Sequence, residues 1–169
     1  YGVITLHRPS NVDDAETFSG ISAALKEIAR ELPLIFPVHP RTRNNLDKFA
    51  IDLGPNITLI GPQAYMPFLH LWKDAAVVLT DSGGLQEETT ALGVPCITIR
   101  ENTERPITVE EGSNTLAGTN PAHIIEETIK ILRSPDKPCR RPELWDGKAA
   151  ERIVAILAEA LAQSPVKSE

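Results

Sequence analysis

Apolar residues follow two rhythms along this chain. Short runs, apolar throughout and often β-branched, alternate with longer stretches whose apolar positions step by three and four residues, the period of a helix face. The runs predict strands at 3–6, 34–38, 57–60, 76–80 and 96–99, with a weaker one at 114–117. Between them Phe18, Ile21, Leu25, Ile28 and Leu32 draw one apolar stripe along a helix, and Leu46, Phe49 and Leu53 draw a shorter one. Phe68, Leu69 and Leu71 fit a short helix before Lys73 and Asp74, and 85–92 fits another, stopped by Gly93 and then Pro95. Ile124, Ile125, Ile129 and Leu132 mark a later helix. After a proline-rich connection at 134–142, Ile153, Val154, Ile156, Leu157 and Leu161 mark the last one, spanning 149–162.

Strands that are apolar throughout, instead of alternating, belong to a sheet covered by helices on both faces. The order strand, helix, strand then predicts an α/β fold with a doubly wound parallel sheet of about six strands. The chain reads as a single domain over 1–163 with a polar tail at 164–169 that is expected to fray. Tyr1-Gly2-Val3 reads as a start in mid-strand, so a piece of a longer chain is expected. In a doubly wound sheet, ligands sit in the crevice beyond the carboxyl ends of the strands, which makes the residues just after each strand the candidate site.

Composition narrows the ligand. The 169 residues, with 41% hydrophobic, suffice for one core, and no apolar run approaches the roughly 18 to 20 residues of a membrane span. Seventeen basic against 23 acidic residues give a formal net charge of -6, the wrong balance for wrapping nucleic acid. Two cysteines, Cys96 in an apolar run and Cys139 in a Pro/Arg-rich stretch, supply neither a disulfide framework nor a four-ligand zinc site, and a reducing, cytoplasmic setting fits them. No metal is expected. Yet the strand ends collect cations: His7-Arg8 after the first strand, His39-Pro40-Arg41 after the second, Arg100 and Arg105 after the fifth. That arrangement points to a shared site for a small anion.

The turn Asp81-Ser82-Gly83-Gly84-Leu85-Gln86-Glu87-Glu88 is the sharpest of these signals. Glycine permits close backbone approach and positive φ, and the free N–H groups at the start of the following helix favour a phosphate. The plainer reading is a turn capped by Asp81 or Ser82, with Glu87 and Glu88 complementing the helix dipole. No Gly-Lys-Ser/Thr follows and no Gly-x-Gly-x-x-Gly is present, so neither a P-loop nor a dinucleotide fingerprint is at hand. His7 has the pKa range of a proton donor and equally suits a phosphate contact or a helix cap; His39 shares those readings. Arg105 can fork to a diphosphate or pair with Glu104, Glu110 or Glu111. His70 and His123, in or beside helical stretches, read as structural.

Several stretches together resemble the non-hydrolysing UDP-N-acetylglucosamine 2-epimerases, in that family's order. They are Thr5-Leu6-His7-Arg8, Pro37-Val38-His39-Pro40, Pro62-Gln63-Ala64-Tyr65-Met66-Pro67-Phe68, Leu79-Thr80-Asp81-Ser82-Gly83-Gly84-Leu85-Gln86-Glu87-Glu88, Leu92-Gly93-Val94-Pro95 and Thr103-Glu104-Arg105-Pro106. The resemblance covers 1 to about 118 and matches the C-terminal half of the family. It implies a GT-B type fold of two Rossmann-like domains facing across a cleft, of which this chain is the second, UDP-binding one. It further implies that Ser82, Gly83 and Gly84 take the diphosphate, that Glu88 accepts hydrogen bonds from the ribose, and that Gln63 and Phe68 lie around the uracil. By the same resemblance Arg105 and His7 approach the phosphates and the sugar, His7 as a catalytic residue, and Arg8 and His39 belong to a secondary, allosteric contact with UDP-N-acetylglucosamine.

The implied reaction interconverts UDP-N-acetylglucosamine and UDP-N-acetylmannosamine by anti-elimination and re-addition of UDP, without a cofactor, in a homodimer that supplies cell-surface polysaccharide. The acidic residues that handle the C2 proton belong to the family's N-terminal domain, absent here, so the chain alone is expected not to epimerise. Just after His7-Arg8 the sequence departs from the family, with Pro9-Ser10-Asn11 where better-known members carry Arg-Glu-Asn. A GT-B UDP-sugar transferase and a non-catalytic UDP-binding module are the alternatives; the Thr103-Glu104-Arg105-Pro106 block favours the epimerase.

Overall fold

A computed structural model describes residues 1–134 and 140–163. Six parallel strands form one sheet: β1 (Gly2–Thr5), β2 (Leu34–Pro37), β3 (Ile57–Ile60), β4 (Val77–Thr80), β5 (Cys96–Thr98) and β6 (Asn114–Leu116), in the spatial order β3-β2-β1-β4-β5-β6. Among the described residues eight helices accompany them: α1 (Pro9–Val12), α2 (Ala15–Ile28), α3 (Pro40–Lys48), α4 (Tyr65–Trp72), α5 (Gly83–Leu92), α6 (Pro106–Glu110), α7 (Pro121–Arg133) and α8 (Ala149–Gln163). The parallel, doubly wound sheet expected from the apolar runs is therefore present.

Each face of the sheet has its own core, which explains why the strands are apolar throughout. On one face Ile4, Val77, Leu79 and Ile97 pack under Phe18, Ile21 and Leu25 of α2, Leu46 of α3 and Ile124 of α7. On the other, Val3 and Val78 pack against Trp72, Leu85 and Val94, with Phe68, Leu69 and Leu71 of α4 half-buried around them. Successive residues Val77, Val78 and Leu79 thus alternate between the two cores, as the strand period of two requires. Burying a side chain such as Phe18 or Leu79 completely is worth about 1.5 to 3 kcal/mol, so these two layers carry the fold.

The ends of the helices follow local chemistry. Asp14 caps α2, its carboxylate accepting from the Thr17 amide at 2.8 Å. Gly93, with φ of 73°, closes α5 in the left-handed region, as the sequence predicts. The stripe Leu46, Phe49, Leu53 is not one helix, however. α3 stops at Lys48, Ala50 takes φ of 51°, and the Ile51 amide returns to the Leu46 carbonyl at 3.0 Å; Leu53 reaches the core from the loop beyond. Likewise α2 ends at Ile28, and Leu32 packs from the following turn. α1 and α6, each opened by a proline, are too short to show a period and were not predicted. α8 covers the expected last helix; its apolar residues are exposed, Leu161 by 73%. Cys139, part of the proline-rich connection, and the expected frayed tail at 164–169 lie outside the described residues.

Candidate active site

β1 lies between β2 and β4, and the chain crosses from one half of the sheet to the other between β3 and β4. The switch point is the gap between the carboxyl ends of β1 and β4, where a doubly wound sheet opens its ligand crevice. His7 and Arg8 follow β1; Asp81 and Ser82 follow β4.

Asp81 joins these two ends. It is completely buried, and its carboxyl oxygens accept the His7 amide at 3.2 and 3.1 Å, the Arg8 amide at 2.9 Å and the Asn11 side-chain amide at 3.3 Å. The His7 ring adds Nδ1 at 3.1 Å from Oδ1, while Arg8 Nε donates to the Asp81 carbonyl at 3.3 Å. Hydrogen bonding to Asp81 raises the His7 pKa above its ordinary value, against the lowering effect of burial. In sequence Asp81 has the look of a helix cap. Its partners His7, Arg8 and Asn11 stand beyond the end of another strand, β1, where no local spacing could signal them.

With Asp81 turned to β1, no side chain caps α5. Ser82 occupies the cap position by backbone, but its amide donates to Thr80 Oγ1 at 2.9 Å and its carbonyl accepts from Gln86 Nε2 at 3.2 Å. The first-turn amides of α5 therefore retain their capacity to bind an anion. Gly83 and Gly84 do not use positive φ, contrary to expectation, because both are ordinary helical residues. What they provide is clearance: a Cβ on Gly84 would meet no atom within 4 Å, and one on Gly83 would first meet Glu104 Oε2 at 3.8 Å.

A buried polar network ties this loop to the segment bearing Arg105. Gln86 Oε1 accepts from Thr103 Oγ1 at 2.6 Å and from Asn114 Nδ2 at 3.3 Å, Asn114 Nδ2 also reaches Thr108 Oγ1 at 3.1 Å, and Asn114 Oδ1 accepts from Thr98 Oγ1 at 2.7 Å. Thr103 Oγ1 in turn receives the Arg105 amide at 3.0 Å. Arg105 Nε stands 2.9 Å from Glu87 Oε1, an ion pair whose angle is not that of a directed hydrogen bond, and Nη1 donates to the Glu104 carbonyl at 3.1 Å. The sequence offered Glu104, Glu110 and Glu111 as partner carboxylates; Glu87 takes that place because α5 faces the Arg105 segment. Glu104 is held instead by Arg100, with bonds of 2.8 and 2.7 Å that bring its carboxyl down to about 2. Burial, then the neighbouring Glu87 charge, raises the Glu88 pKa.

His7, Arg8, Ser82, Gly83 and Gly84 thus gather around the β1–β4 gap and the start of α5, with Arg105 tied to that helix through Glu87 and Glu88 lying further along it. Phe68 of α4 is half-buried on the core that Leu85 of α5 shares. Gln63 and His39, at the carboxyl ends of β3 and β2 on the same sheet edge, are bonded locally. Gln63, after the edge strand β3, donates to the Gly61 carbonyl at 2.8 Å, and His39, exposed, caps α3 by accepting the Arg41 amide on Nδ1 at 3.3 Å. His123 Nδ1 lies 3.0 Å from the Ala117 carbonyl, a structural contact as expected. Among the described residues no group of three or more His, Cys, Asp or Glu side chains could hold a metal ion, and no helix is long and apolar enough to cross a membrane.

A doubly wound parallel sheet with an uncapped helix start at its switch point defines the Rossmann-like class of anion- and nucleotide-binding domains. The family model described as UDP-N-acetylglucosamine 2-epimerase matches residues 1–158, and the chain belongs to that family. A curated relative, the UDP-N-acetylglucosamine 2-epimerase of Methanocaldococcus jannaschii, is 42% identical over 163 residues, covering 93% of this chain and 44% of the relative. That of Methanococcus maripaludis is also 42% identical over 163 residues, with the same two coverages of 93% and 44%. The solved structure of the M. jannaschii enzyme in complex with UDP-GlcNAc and UDP superposes with a TM-score of 0.83 at 42% identity, covering 94% of this chain and 45% of that one. This chain therefore spans a little under half the length of the relatives it matches.

Proposed function

We propose that this chain is the UDP-binding, C-terminal half of a UDP-N-acetylglucosamine 2-epimerase, a cytoplasmic isomerase that works as a homodimer, with residues 1–163 forming one domain. The observation that carries the reading is the uncapped start of α5 at the β1–β4 switch point, flanked by His7 and Arg105. Family membership and the likeness to an epimerase solved with UDP-GlcNAc and UDP support it.

In the reaction, a base takes the C2 proton, the released electron pair forms the C1=C2 double bond, and the C1–O pair departs with UDP. UDP then adds back through its oxygen to C1 of the turned-over glycal while an acid of the N-terminal half delivers a proton to the opposite face of C2, giving the C2 epimer. The base comes from the N-terminal half; this half binds and stabilises the departing diphosphate. First-turn amides of α5 and the Ser82 hydroxyl meet the phosphates, as electrostatic stabilisation of developing charge requires. Arg105 adds its guanidinium. Its pair with Glu87 is more than 40% exposed on both sides, and such a pair is worth roughly 0 to 1 kcal/mol, so a diphosphate competes with Glu87 for it. Glu88 accepts from the ribose hydroxyls, Gln63 and Phe68 flank the uracil, and His7 faces the phosphate and sugar. Arg8 and His39 form the secondary contact with a further UDP-N-acetylglucosamine.

Calorimetric titration with UDP tests the reading, with ADP and free N-acetylglucosamine as controls. Binding of UDP and neither control is the expected outcome. If the chain ignores UDP and the full-length protein fails to convert UDP-N-acetylglucosamine to its C2 epimer, the proposal is wrong.

A further inference from the structure

We propose that Asp81 is a positioning residue that holds the His7 imidazole with Nδ1 as its donor nitrogen, leaving Nε2 as the nitrogen presented to the ligand. The inference rests on the UDP-binding reading for the identity of that ligand but not for the geometry. Asp81 is completely buried, and its other hydrogen-bond partners at the carboxyl group, the His7 and Arg8 amides and Asn11 Nδ2, are all donors. Asn11 Nδ2 is itself fixed by a second bond to the Ile99 carbonyl at 2.8 Å. A carboxyl group crowded by donors on both oxygens has only lone pairs to offer the ring nitrogen 3.1 Å away, so Nδ1 must carry the hydrogen. Neutral His7 is then the Nδ1–H tautomer with its lone pair on Nε2, and the protonated ring turns that nitrogen into a donor for a phosphate oxygen.

The arrangement repeats the logic by which a buried carboxylate orients a catalytic histidine through the ring nitrogen away from the substrate. The surroundings of His7 agree. Asp81 approaches from the end of β4, Arg8 from the next residue, and Arg100 from the end of β5 acts on Asp81 with its guanidinium bound to Glu104. Hydrogen bonding and charge from Asp81 favour the imidazolium; burial and Arg8 oppose it, and the favourable effects prevail. Loss of Asp81 would release the ring without removing any group that touches the diphosphate.

Long-range nitrogen–proton spectra of the full-length protein, labelled at histidine and assigned by loss of one ring in His7→Gln, read the tautomer directly. In the unaltered protein, neutral His7 is expected to show a protonated Nδ1 and an unprotonated Nε2, and Nε2 is expected to shift when UDP is added. In Asp81→Ala the ring is expected to revert to the mixture of tautomers found in free imidazole, and turnover to fall on the order of 10²-fold, by more than UDP affinity falls. An Nε2–H tautomer in the unaltered protein overturns the proposal whether or not any variant folds. An Nδ1–H tautomer with no response to UDP upholds Asp81 and refutes the ligand instead.

Discussion

At His7 the two states of folding disagree about the proton. Hydrogen bonding to Asp81 lifts the folded-state pKa above the ordinary 6.5, so the protonated ring favours the folded chain. That contribution is present in full below pH 6.5 and disappears as the pH rises through the folded value. Urea denaturation from about pH 5.5 to about pH 8.5 is therefore expected to show the unaltered protein ahead of His7→Ala at the acid end, with the gap closing towards the alkaline end. Cys96 makes the opposite case. Burial pushes its thiol up to about 12, against the lowering effect of the neighbouring Thr89 and Thr98 hydroxyls, so a thiolate-seeking disulfide reagent should leave Cys96 unmodified in the native chain and reach it on unfolding. Ser82→Asp sets a carboxylate beside the first-turn amides of α5 and is expected to lower UDP affinity by at least tenfold, read by titration. His7 and Ser82 were legible in sequence because each stands at a strand end and carries a group suited to a phosphate. Asp81 and Asn11 were not, since an Asp before a helix looks like a cap and an Asn in a loop looks like a turn, and only the sheet brings them to their partners.

Elements were legible in proportion to how many residues repeat their period. All six strand runs recur in the structure within a residue or two, and the long stripes of α2 and α7 recur as helices. α1 and α6, at four and five residues, hold too few positions for a stripe, although Pro9 and Pro106 marked where each begins. The link between α5 and β6 had no sequence signature at all. It runs through Gln86, which looks like one more polar residue on a helix yet is fully buried. Gln86→Leu strips the acceptor from Thr103 and Asn114 and the donor from the Ser82 carbonyl. Each buried polar group left unpaired costs about 1 to 3 kcal/mol, so the variant is expected to lose at least that much in urea denaturation. UDP affinity should fall with it, because the Arg105 segment loses its tie to the loop.

Across the whole molecule, α8 is the element that the sheet does not account for. Val154, Leu157 and Leu161 are exposed by 65%, 55% and 73%, and nothing buried in either core belongs to this helix. Replacing each of the three singly by glutamate should change the stability by no more than about 0.5 kcal/mol, the range of ordinary surface substitutions. Sedimentation at rising concentration should show the unaltered chain self-associating through this apolar strip and a variant with all three replaced remaining a monomer.

The strand order has a further consequence, for how the chain assembles. β1 pairs with β2 and β4, and its register with β4 sets Gly2 against Val77 and Thr5 against Thr80, partners nearly half the chain apart. A chain emerging from the ribosome at about 5 to 20 residues per second holds β1 for several seconds before β4 exists. Until the seam zips, His7 and Asp81 hang from separate pieces. A half-folded form, however much sheet it retains, has no crevice in which to hold a ligand.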